Sequence, residues 1–310
     1  MKQITNTILM IRPVAFRMNE QTAVNNYFME DVSMKNKAVN LAAQKEFDAF
    51  VEVLRTNGIE VIVIEDTLEN DTPDSIFPNN WISFHANGTV VLYPMFAENR
   101  RKERREDLLD TLEERGFHIE QVIDYSSAEK DNLFLEGTGS ILMDRLNEKV
   151  YCALSDRAHE ELIIEFCEDF ECTPVIFGAF QTVKNERLPI YHTNVMMCMG
   201  EKYAVICLDS IDDKKEKKNV LNHLKNDGKE IISITEEQMH HFAGNMLQVA
   251  DKDENRYLVM SSAAYKSLTK EQIKKLEKYN PILHSSLDTI ETCGGGSARC
   301  MMAEVFLPKR

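Results

Sequence analysis

A five-fold internal repeat runs through this sequence and restricts the folds open to it. When Asn80, Gly139, Asn194, Asn245 and Gly296 are aligned as equivalent positions, successive copies lie 59, 55, 51 and 51 residues apart. Each position precedes a short β-rich run, and in the first four copies a turn containing Asn or Gly leads to a second such run. A repeat of this length is typical of propellers and other arrays, in which each copy completes its core against its neighbours.

Five segments with helical periodicity separate these β-rich pairs. Glycines directly follow three of them, at Gly58, Gly116 and Gly228, where a left-handed residue ends a helix at little cost. Thr269 and Gln272 have the spacing of a capping box at the start of the last segment. The sequence therefore predicts helices at residues 41–57, 101–115, 156–170, 213–227 and 270–279.

The order of these elements predicts an α/β fold in which five strand–hairpin–helix units close into a ring. Alternating strands and helices also occur in doubly wound parallel sheets. The hairpins favour the ring, because parallel neighbouring strands cannot be joined by tight turns, and closure removes exposed strand edges. No linker or low-complexity tract interrupts residues 1–310, so we expect one domain, a five-bladed α/β propeller.

The balance of charge excludes several classes of partner. Asp and Glu number 51 against 36 Lys and Arg, a net charge of −15, whereas a nucleic-acid binder needs a basic surface. No apolar run reaches the roughly 18 residues that a membrane span requires, and the N-terminus lacks the pattern of a signal peptide. We therefore expect neither nucleic acid nor a membrane as partner, and the sequence leaves assembly into a homo-oligomer open.

Cysteine usage indicates the compartment and bears on cofactors. The seven cysteines are an odd set without short-chain disulfide spacing, which favours free thiols in a reducing cytoplasm. There is no CxxC pair, HExxH or GxxxxGK[ST] motif, so neither a zinc site nor a P-loop has support. We expect no metal and no cofactor.

Cys300 differs from the other cysteines in what precedes it. Glycines at 294–296 let backbone amides approach a bound ligand, and the cation of Arg299 would favour the nucleophilic thiolate. The alternative is a flexible loop with an unreactive thiol. Three other cysteines lie in apolar runs and are expected to fill the core: Cys152, Cys198 and Cys207.

His192 and Glu136 are candidate partners for Cys300. His192 lies two residues before the repeat position at Asn194, so a ring would bring it to the region of Cys300 and Glu136. A cysteine with a sequence-distant histidine can perform covalent catalysis, although a lone histidine is more often structural. Glu136 interrupts an apolar segment, where a charge needs a partner. It could orient His192, hold a cationic substrate group, or do both.

Other polar segments have an ordinary structural explanation. Residues 72–81, which include Asp74, Phe77 and Asn80, are rich in Pro, Asp and Asn and suit a turn. The basic run at residues 100–105 suits a solvated helix face, and Arg157 suits the start of a helix.

Three motifs together resemble the guanidine-modifying, or pentein, superfamily. They are GGGSARC at 294–300, HTN at 192–194 and LEGTG at 135–139. The superfamily includes arginine deiminases, dimethylarginine dimethylaminohydrolases and amidinotransferases, and its five-bladed α/β propeller agrees with the five repeats. The segments PDSIFPNNW at 73–81 and MIRPVAF at 10–16, with Asn25 and Asn26, are most similar to the citrulline utilization hydrolase, or amidinotransferase-like, branch.

The resemblance implies a role for each candidate residue. Cys300 would be the nucleophile, His192 the general acid and base, and Glu136 the carboxylate that orients the histidine. Four further positions would bind substrate. Arg100 and Arg157 would hold its α-carboxylate, as bidentate guanidinium groups do, Asp74 would meet the α-amino group, and Phe77 would line the site.

Departures from the family pattern favour a neutral substrate group. Deiminases usually carry acids where this chain has Asn80 and Asn194, and they read EGGD where it has EGTG. An asparagine offers a donor and an acceptor but no charge, which suits a ureido group better than a guanidinium ion. We therefore expect hydrolysis of citrulline or a close analogue to ornithine, ammonia and carbon dioxide. Alternatives are a hydrolase of arginine or methylated arginine, an amidinotransferase, and a non-catalytic binding propeller.

Overall fold

Strands and helices alternate along the chain, which confirms the predicted mixed α/β class. The computed structural model describes residues 2–30, 32 and 34–310. The strands are β1 (Thr7–Arg12), β2 (Glu60–Glu65), β3 (Ile82–Phe84), β4 (Thr89–Leu92), β5 (Gln121–Asp124), β6 (Ile141–Asp144), β7 (Lys149–Leu154), β8 (Thr173–Gly178), β9 (Phe180–Val183), β10 (Glu186–Pro189), β11 (Met197–Met199), β12 (Tyr203–Ile206), β13 (Glu230–Ser233), β14 (Leu247–Ala250), β15 (Arg256–Ser261), β16 (Ile282–Ser285) and β17 (Ala303–Glu304). The helices are α1 (Asn36–Thr56), α2 (Asp107–Glu114), α3 (Gly137–Ser140), α4 (Glu160–Asp169), α5 (Thr193–Met196), α6 (Lys214–Asn226), α7 (Glu236–His240), α8 (Ser262–Ser267), α9 (Lys270–Glu277) and α10 (Asp288–Gly294).

Five three-stranded sheets of one topology account for most strands in the described part of the chain. In each sheet the first strand pairs antiparallel with the second, which pairs parallel with the third after a helical connection. The sheets are β3–β4–β5, β6–β7–β8, β11–β12–β13, β14–β15–β16 and β17–β1–β2, and β9 and β10 form a separate hairpin. Short turns join the antiparallel pairs of the first four of these sheets, as at Gly88, where φ is +82°.

The sheet β17–β1–β2 combines strands from opposite ends of the chain. Leu9 pairs with Ala303, and Ile8 pairs with Glu304. The prediction that the fifth copy of the repeat starts at Gly296 is wrong, because α10 and a following turn occupy this region and the strand begins only at Ala303. Counted back from the strand, Cys300 rather than Gly296 is the counterpart of Asn194.

Local signals in the sequence explain where the helices begin and end. The side chain of Asp213 accepts hydrogen bonds from the backbone of residues 215 and 216 and starts α6. The capping box of Thr269 and Gln272 is present at α9, and Gly228 follows α6 with a φ of +70°. Residues 101–115 do not form one helix: a 3-10 turn (Arg100–Glu103) precedes α2. No helix within the described residues has both the length and the apolar character to cross a membrane.

The segments that lead into the first strands meet at one place. The short turn Pro78–Asn80 contacts α3, α3 contacts α5, and β17 also contacts the Pro78–Asn80 turn. Each of these segments is buried. The residues that precede the first strands therefore face a shared region, although they are distant in the sequence.

Candidate active site

Cys300, His192 and Glu136 all lie where a chain segment enters the first strand of a sheet, and all three are buried. Cys300 and His192 line a small cavity together with Asp74, Phe77, Asn80, Arg100, Arg157 and residues of the N-terminal segment. His192 Nε2 lies 2.8 Å from Glu136 Oε2. The structure thus brings the sequence-predicted cysteine and histidine to one cavity and pairs the histidine with the predicted carboxylate.

Glu136 is held as a carboxylate by its surroundings. Its Oε1 accepts the backbone N–H of Phe96 at 3.0 Å, and its Oε2 lies 3.5 Å from an Arg157 nitrogen and 3.8 Å from an Arg100 nitrogen. Burial by itself would raise the pKa of Glu136, but Arg157, His192 and Arg100 together outweigh burial and lower it. Glu136 is therefore ionised, and its carboxylate can only accept a hydrogen bond from His192.

The imidazole of His192 has a defined orientation and is neutral at pH 7. Burial lowers its pKa, and the opposing effect of Glu136 is smaller. Because the carboxylate of Glu136 only accepts, His192 Nε2 carries the hydrogen and Nδ1 keeps a lone pair. A Cβ at Gly139 would lie 2.8 Å from Nδ1, so a glycine is required beside this edge of the ring.

The sulfur of Cys300 receives two amide donors. Asn194 Nδ2 lies 3.4 Å and Asn245 Nδ2 3.3 Å from Cys300 Sγ, and such donors stabilise negative charge that gathers on sulfur. The guanidinium of Arg299 binds Glu304 and the Met302 carbonyl. The predicted support of a Cys300 thiolate by this cation therefore stays a prediction.

The cysteines that the sequence assigned to the core are unsuited to nucleophilic chemistry. Burial raises the pKa of each of these thiols: Cys152, Cys198 and Cys207.

Asn80 and Asn194 occupy different places around the site. Asn80 lines the cavity, accepts from an Arg100 nitrogen at 2.8 Å and donates to Asn79 at 3.0 Å. Asn194 contacts the sulfur and the carbonyl of Thr138. A charge placed at 194 would therefore act on the sulfur directly, whereas one at 80 would act on the cavity wall.

Asp74 presents a carboxylate oxygen to the cavity. Its Oδ2 accepts from Asn19 at 2.8 Å and Thr22 at 3.0 Å. Its Oδ1 is buried and has no hydrogen-bond partner within the described structure. A buried carboxylate oxygen without a donor is costly, and an ammonium group in the cavity would satisfy it.

Phe77 packs against the glycine-rich segment before Cys300. A Cβ at Gly294 would come within 2.8 Å of the Phe77 ring, and one at Gly296 within 3.0 Å. The lack of a side chain at these two glycines is thus needed for close contact with Phe77, whereas the predicted approach of backbone amides to a bound ligand stays a prediction.

Arg100 is buried instead of solvated, which corrects the interpretation of the basic run as a solvated helix face. Its Nε and Nη2 donate to Glu103 at 2.9 Å each, and Nη1 donates to Asn80. Nη2 also donates to the Phe77 carbonyl. Its donors serve partners within the protein, and its role as a carboxylate anchor stays a prediction.

Arg157 connects the site to the N-terminal segment. Its guanidinium donates to the Thr22 carbonyl at 2.8 Å and to Asn25, and it lies 4.9 Å from the ring centre of Tyr191. The segment that contains residues 19–26 thus covers the cavity and occupies donors of Arg157.

Several site residues were missed by the sequence analysis, above all Asn245. Its alignment with Asn80 and Asn194 in the repeat was a signal, because the ring brings equivalent positions together. Thr22 and Tyr191 line the cavity without any such pattern. Within the described residues, no group of three or more His, Cys, Asp or Glu side chains could hold a metal ion.

The mixed α/β fold, with a buried cysteine and a histidine–carboxylate pair at one cavity, is that of the pentein superfamily, whose members include guanidino-modifying hydrolases. The chain belongs to the family described as N,N dimethylarginine dimethylhydrolase, eukaryotic, whose match covers residues 12–307. The resemblance to the superfamily is therefore confirmed. No curated protein sequence matches the chain.

Solved structures share this fold at low sequence identity. ArgZ, an arginine dihydrolase from the ornithine-ammonia cycle in cyanobacteria, aligns with a TM-score of 0.74 and 18% identity over 98% of this chain and 41% of ArgZ. The substrate-bound N-terminal domain of ArgZ aligns with a TM-score of 0.71 and 18% identity, covering 97% of this chain and 99% of that domain. A dimethylarginine dimethylaminohydrolase in an adduct with S-methyl-L-thiocitrulline aligns with a TM-score of 0.64 and 12% identity. This alignment covers 97% of this chain and 99% of that chain. This chain thus spans about two fifths of full-length ArgZ.

Proposed function

We propose that this protein hydrolyses the ureido group of citrulline, or of a close analogue, to ornithine, ammonia and carbon dioxide. The observation that carries the proposal is the set of neutral amides near the sulfur. Asn194 and Asn245 contact Cys300, and Asn80 lines the cavity. The nearby carboxylate of Glu136 is already committed to His192 and two arginines. A ureido oxygen can accept from an amide. The proposal assigns Asp74, the cavity carboxylate with an unpartnered oxygen, to the substrate's α-amino group, which leaves no carboxylate for a buried guanidinium.

In this mechanism Cys300 attacks the ureido carbon. The thiol proton passes to His192 Nδ1 and then to the departing nitrogen, which leaves as ammonia when the C–N bond breaks. The S-carbamoyl intermediate on Cys300 is hydrolysed by a water whose proton His192 accepts, and the thiol is restored. The N-carbamate so released loses carbon dioxide to give ornithine. Acid–base assistance of this kind contributes about 10²–10⁴-fold.

The polar end of the substrate would be held away from the sulfur. Asp74 Oδ1 would take the α-amino group, which supplies its missing donor. Arg157, with Arg100 behind it, would take the α-carboxylate after the contacts to Thr22 and Asn25 are exchanged. We expect Arg157→Ala to raise KM for citrulline much more than for its decarboxylated analogue, by the 2–5 kcal/mol that a desolvated charge pair is worth, roughly 30-fold or more.

Release of ammonia and ornithine from citrulline, compared with release of citrulline from arginine, is the direct test. Mass spectrometry of rapidly quenched enzyme should find the ornithine chain joined through its δ-nitrogen and a carbonyl to Cys300, and no such adduct on Cys300→Ser. We expect Asn80→Asp to lower the ratio of kcat/KM for citrulline over arginine, because a carboxylate favours the guanidinium. A wild-type enzyme that prefers arginine would overturn the citrulline assignment.

Hydrolysis of arginine or a methylated arginine is the second candidate. The family match and the names of the ArgZ and dimethylaminohydrolase relatives favour it. The same cysteine, histidine and carboxylate would serve, with ammonia or an amine leaving from the guanidino carbon. The two candidates differ in the product detected from arginine and in their response to Asn80→Asp.

The five sheets are, in the same proposal, the blades of a closed propeller in a single domain. Contacts between first strands support this, since β17 touches β3, β11 touches β6, and β11 touches β14. A cytoplasmic location is part of the proposal and rests on the odd number of cysteines, seven, which lack short-chain disulfide spacing.

A further inference from the structure

A buried carboxyl group outside the cavity contacts the turn that carries Cys300. Glu291 lies in α10 and is 6% exposed. Its Oε1 accepts the hydroxyl of Ser297 at 2.5 Å, and its backbone carbonyl accepts the N–H of Gly295 at 2.9 Å. Glu291 thus binds both the glycine-rich segment and the residue that follows it.

Ser297 is the first residue of the turn that contains Cys300. Its carbonyl accepts the N–H of Cys300 at 3.0 Å and that of Met301 at 3.3 Å. The same turn receives Asn245, whose Oδ1 accepts the N–H of Arg299 at 3.0 Å. A shift of Ser297 would therefore move the Cys300 sulfur relative to its amide donors.

The charged groups that face Glu291 are acidic. Glu46, from α1, accepts the N–H groups of Thr289 and Ile290 at the start of α10, and Asp288 lies on the same helix. Burial is the main cause that raises the pKa of Glu291 to about 7. Asp288 and Glu46 contribute to this rise, and hydrogen bonds from Ser261 and Ser297 oppose it. Across the described residues, the groups that shift this carboxyl include no cation. A buried acid bound by hydroxyl groups alone is poor for stability, so its placement needs another explanation.

We infer that Glu291 is a positioning residue: through Ser297 it fixes the turn that holds the Cys300 sulfur against the amides of Asn194 and Asn245. Its charged form is the stronger acceptor and holds the turn most firmly. The reaction that this serves rests on the proposed function, whereas the effect on the thiol does not.

Two variants and their combination test this inference in the intact chain. Ser297→Ala removes the hydroxyl, and Glu291→Gln keeps an acceptor of the same shape without the charge. Glu46→Gln is the matched control, because it changes a carboxyl that caps α10 but does not touch Ser297. Two readouts are measured from pH 5.5 to 8.5: kcat and KM for citrulline, and the rate at which iodoacetamide alkylates Cys300.

We expect Ser297→Ala to lower kcat and the alkylation rate about 10- to 100-fold, as loss of a hydrogen bond to a charged group does, with KM little changed. Glu291→Gln should lower both rates less and remove a step near neutral pH from both profiles. Glu46→Gln should keep the step but move it to lower pH, because Glu46 raises the pKa of Glu291. The double variant should lose no more than Ser297→Ala alone.

Wild-type rates in both single variants, or losses that multiply in the double variant, would overturn the inference. If Ser297→Ala does not fold, the isosteric Glu291→Gln still decides through its pH profile. Alkylation that follows these expectations in an enzyme inactive on citrulline would support the positioning role and reject the proposed substrate.

Discussion

Replacing Asn245 by aspartate exchanges the NH₂ group beside the Cys300 sulfur for an oxygen and keeps the other side-chain oxygen. Asn245 Oδ1 accepts the N–H of Arg299 at 3.0 Å, and an aspartate oxygen can do the same. Its Nδ2 donates to Cys300 Sγ at 3.3 Å and to the Asn194 carbonyl at 3.0 Å. The variant puts a carboxylate oxygen where that donor was, so it removes both hydrogen bonds of Nδ2 and adds a negative charge beside the sulfur.

The structure sets the size of the effect. Loss of a hydrogen bond to a charged sulfur costs about 1.5–3 kcal/mol. Two like charges at the 3.3 Å separation repel by about 5 kcal/mol at an effective dielectric constant of about 20. Protonation of the new carboxyl limits the sum, but the rate of reaction at the thiolate should still fall at least about 100-fold, since each 1.4 kcal/mol is tenfold.

The reactivity of the Cys300 thiolate can be measured without any substrate, as the rate at which iodoacetamide alkylates Cys300 at pH 7, followed by mass spectrometry. Asn280→Asp is the matched control, because Asn280 is also buried and its Oδ1 likewise accepts hydrogen bonds, from Tyr203 and Gln248. The control should alkylate at the wild-type rate. A folded Asn245→Asp protein that also does so would refute the argument that the amides activate the sulfur.

Three further predictions follow from the same geometry. Asp74→Asn should raise KM for citrulline far more than for N-acylated citrulline, because only the first offers an ammonium to the unpartnered oxygen; steady-state kinetics on both substrates checks this. Gly296→Ala should lower kcat, since its Cβ would lie 3.0 Å from the Phe77 ring and 3.3 Å from the Cys300 Cβ, and a normal Tm would show that the fold survives. Glu291→Gln should stabilise the protein at pH 8 by up to about 3 kcal/mol, because a carboxyl whose folded pKa is raised to about 7 loses its stabilising contribution as pH rises through that value. The gain should vanish at pH 4.5, and urea unfolding at the two pH values measures it.

The repeating pattern made much of the fold and part of the site predictable. Hairpin turns, glycines after helices and a capping box are local signals, and they located the hairpin strands of the first four units and the long helices approximately. The third strand of each sheet and the short helices were not located. The repeat also placed His192 and Glu136 near one another, because both precede the first strand of a repeat unit. It misplaced the start of the fifth copy, because Gly296 belongs to a turn and Ala303 begins the strand.

Contacts between distant side chains were not predictable from the pattern. Nothing local shows that Arg100 pairs with Glu103 within a buried cluster, since a run of charged residues has the same appearance on a solvated face. The contacts of Arg157 with Thr22 and Asn25 join residues more than 130 positions apart. Such pairs depend on tertiary packing, which periodicity and capping residues do not encode.

The pairing of β1 with β17 affects when, during synthesis, the region around Cys300 can fold. During synthesis β1 and β2 are made well before β17, the antiparallel partner of β1. Bringing Leu9 to Ala303 closes a very long loop, and such long-range closure slows folding. Cys300 lies three residues before β17. The sheet beside the nucleophile therefore cannot be completed until β17 has been made and has returned to β1.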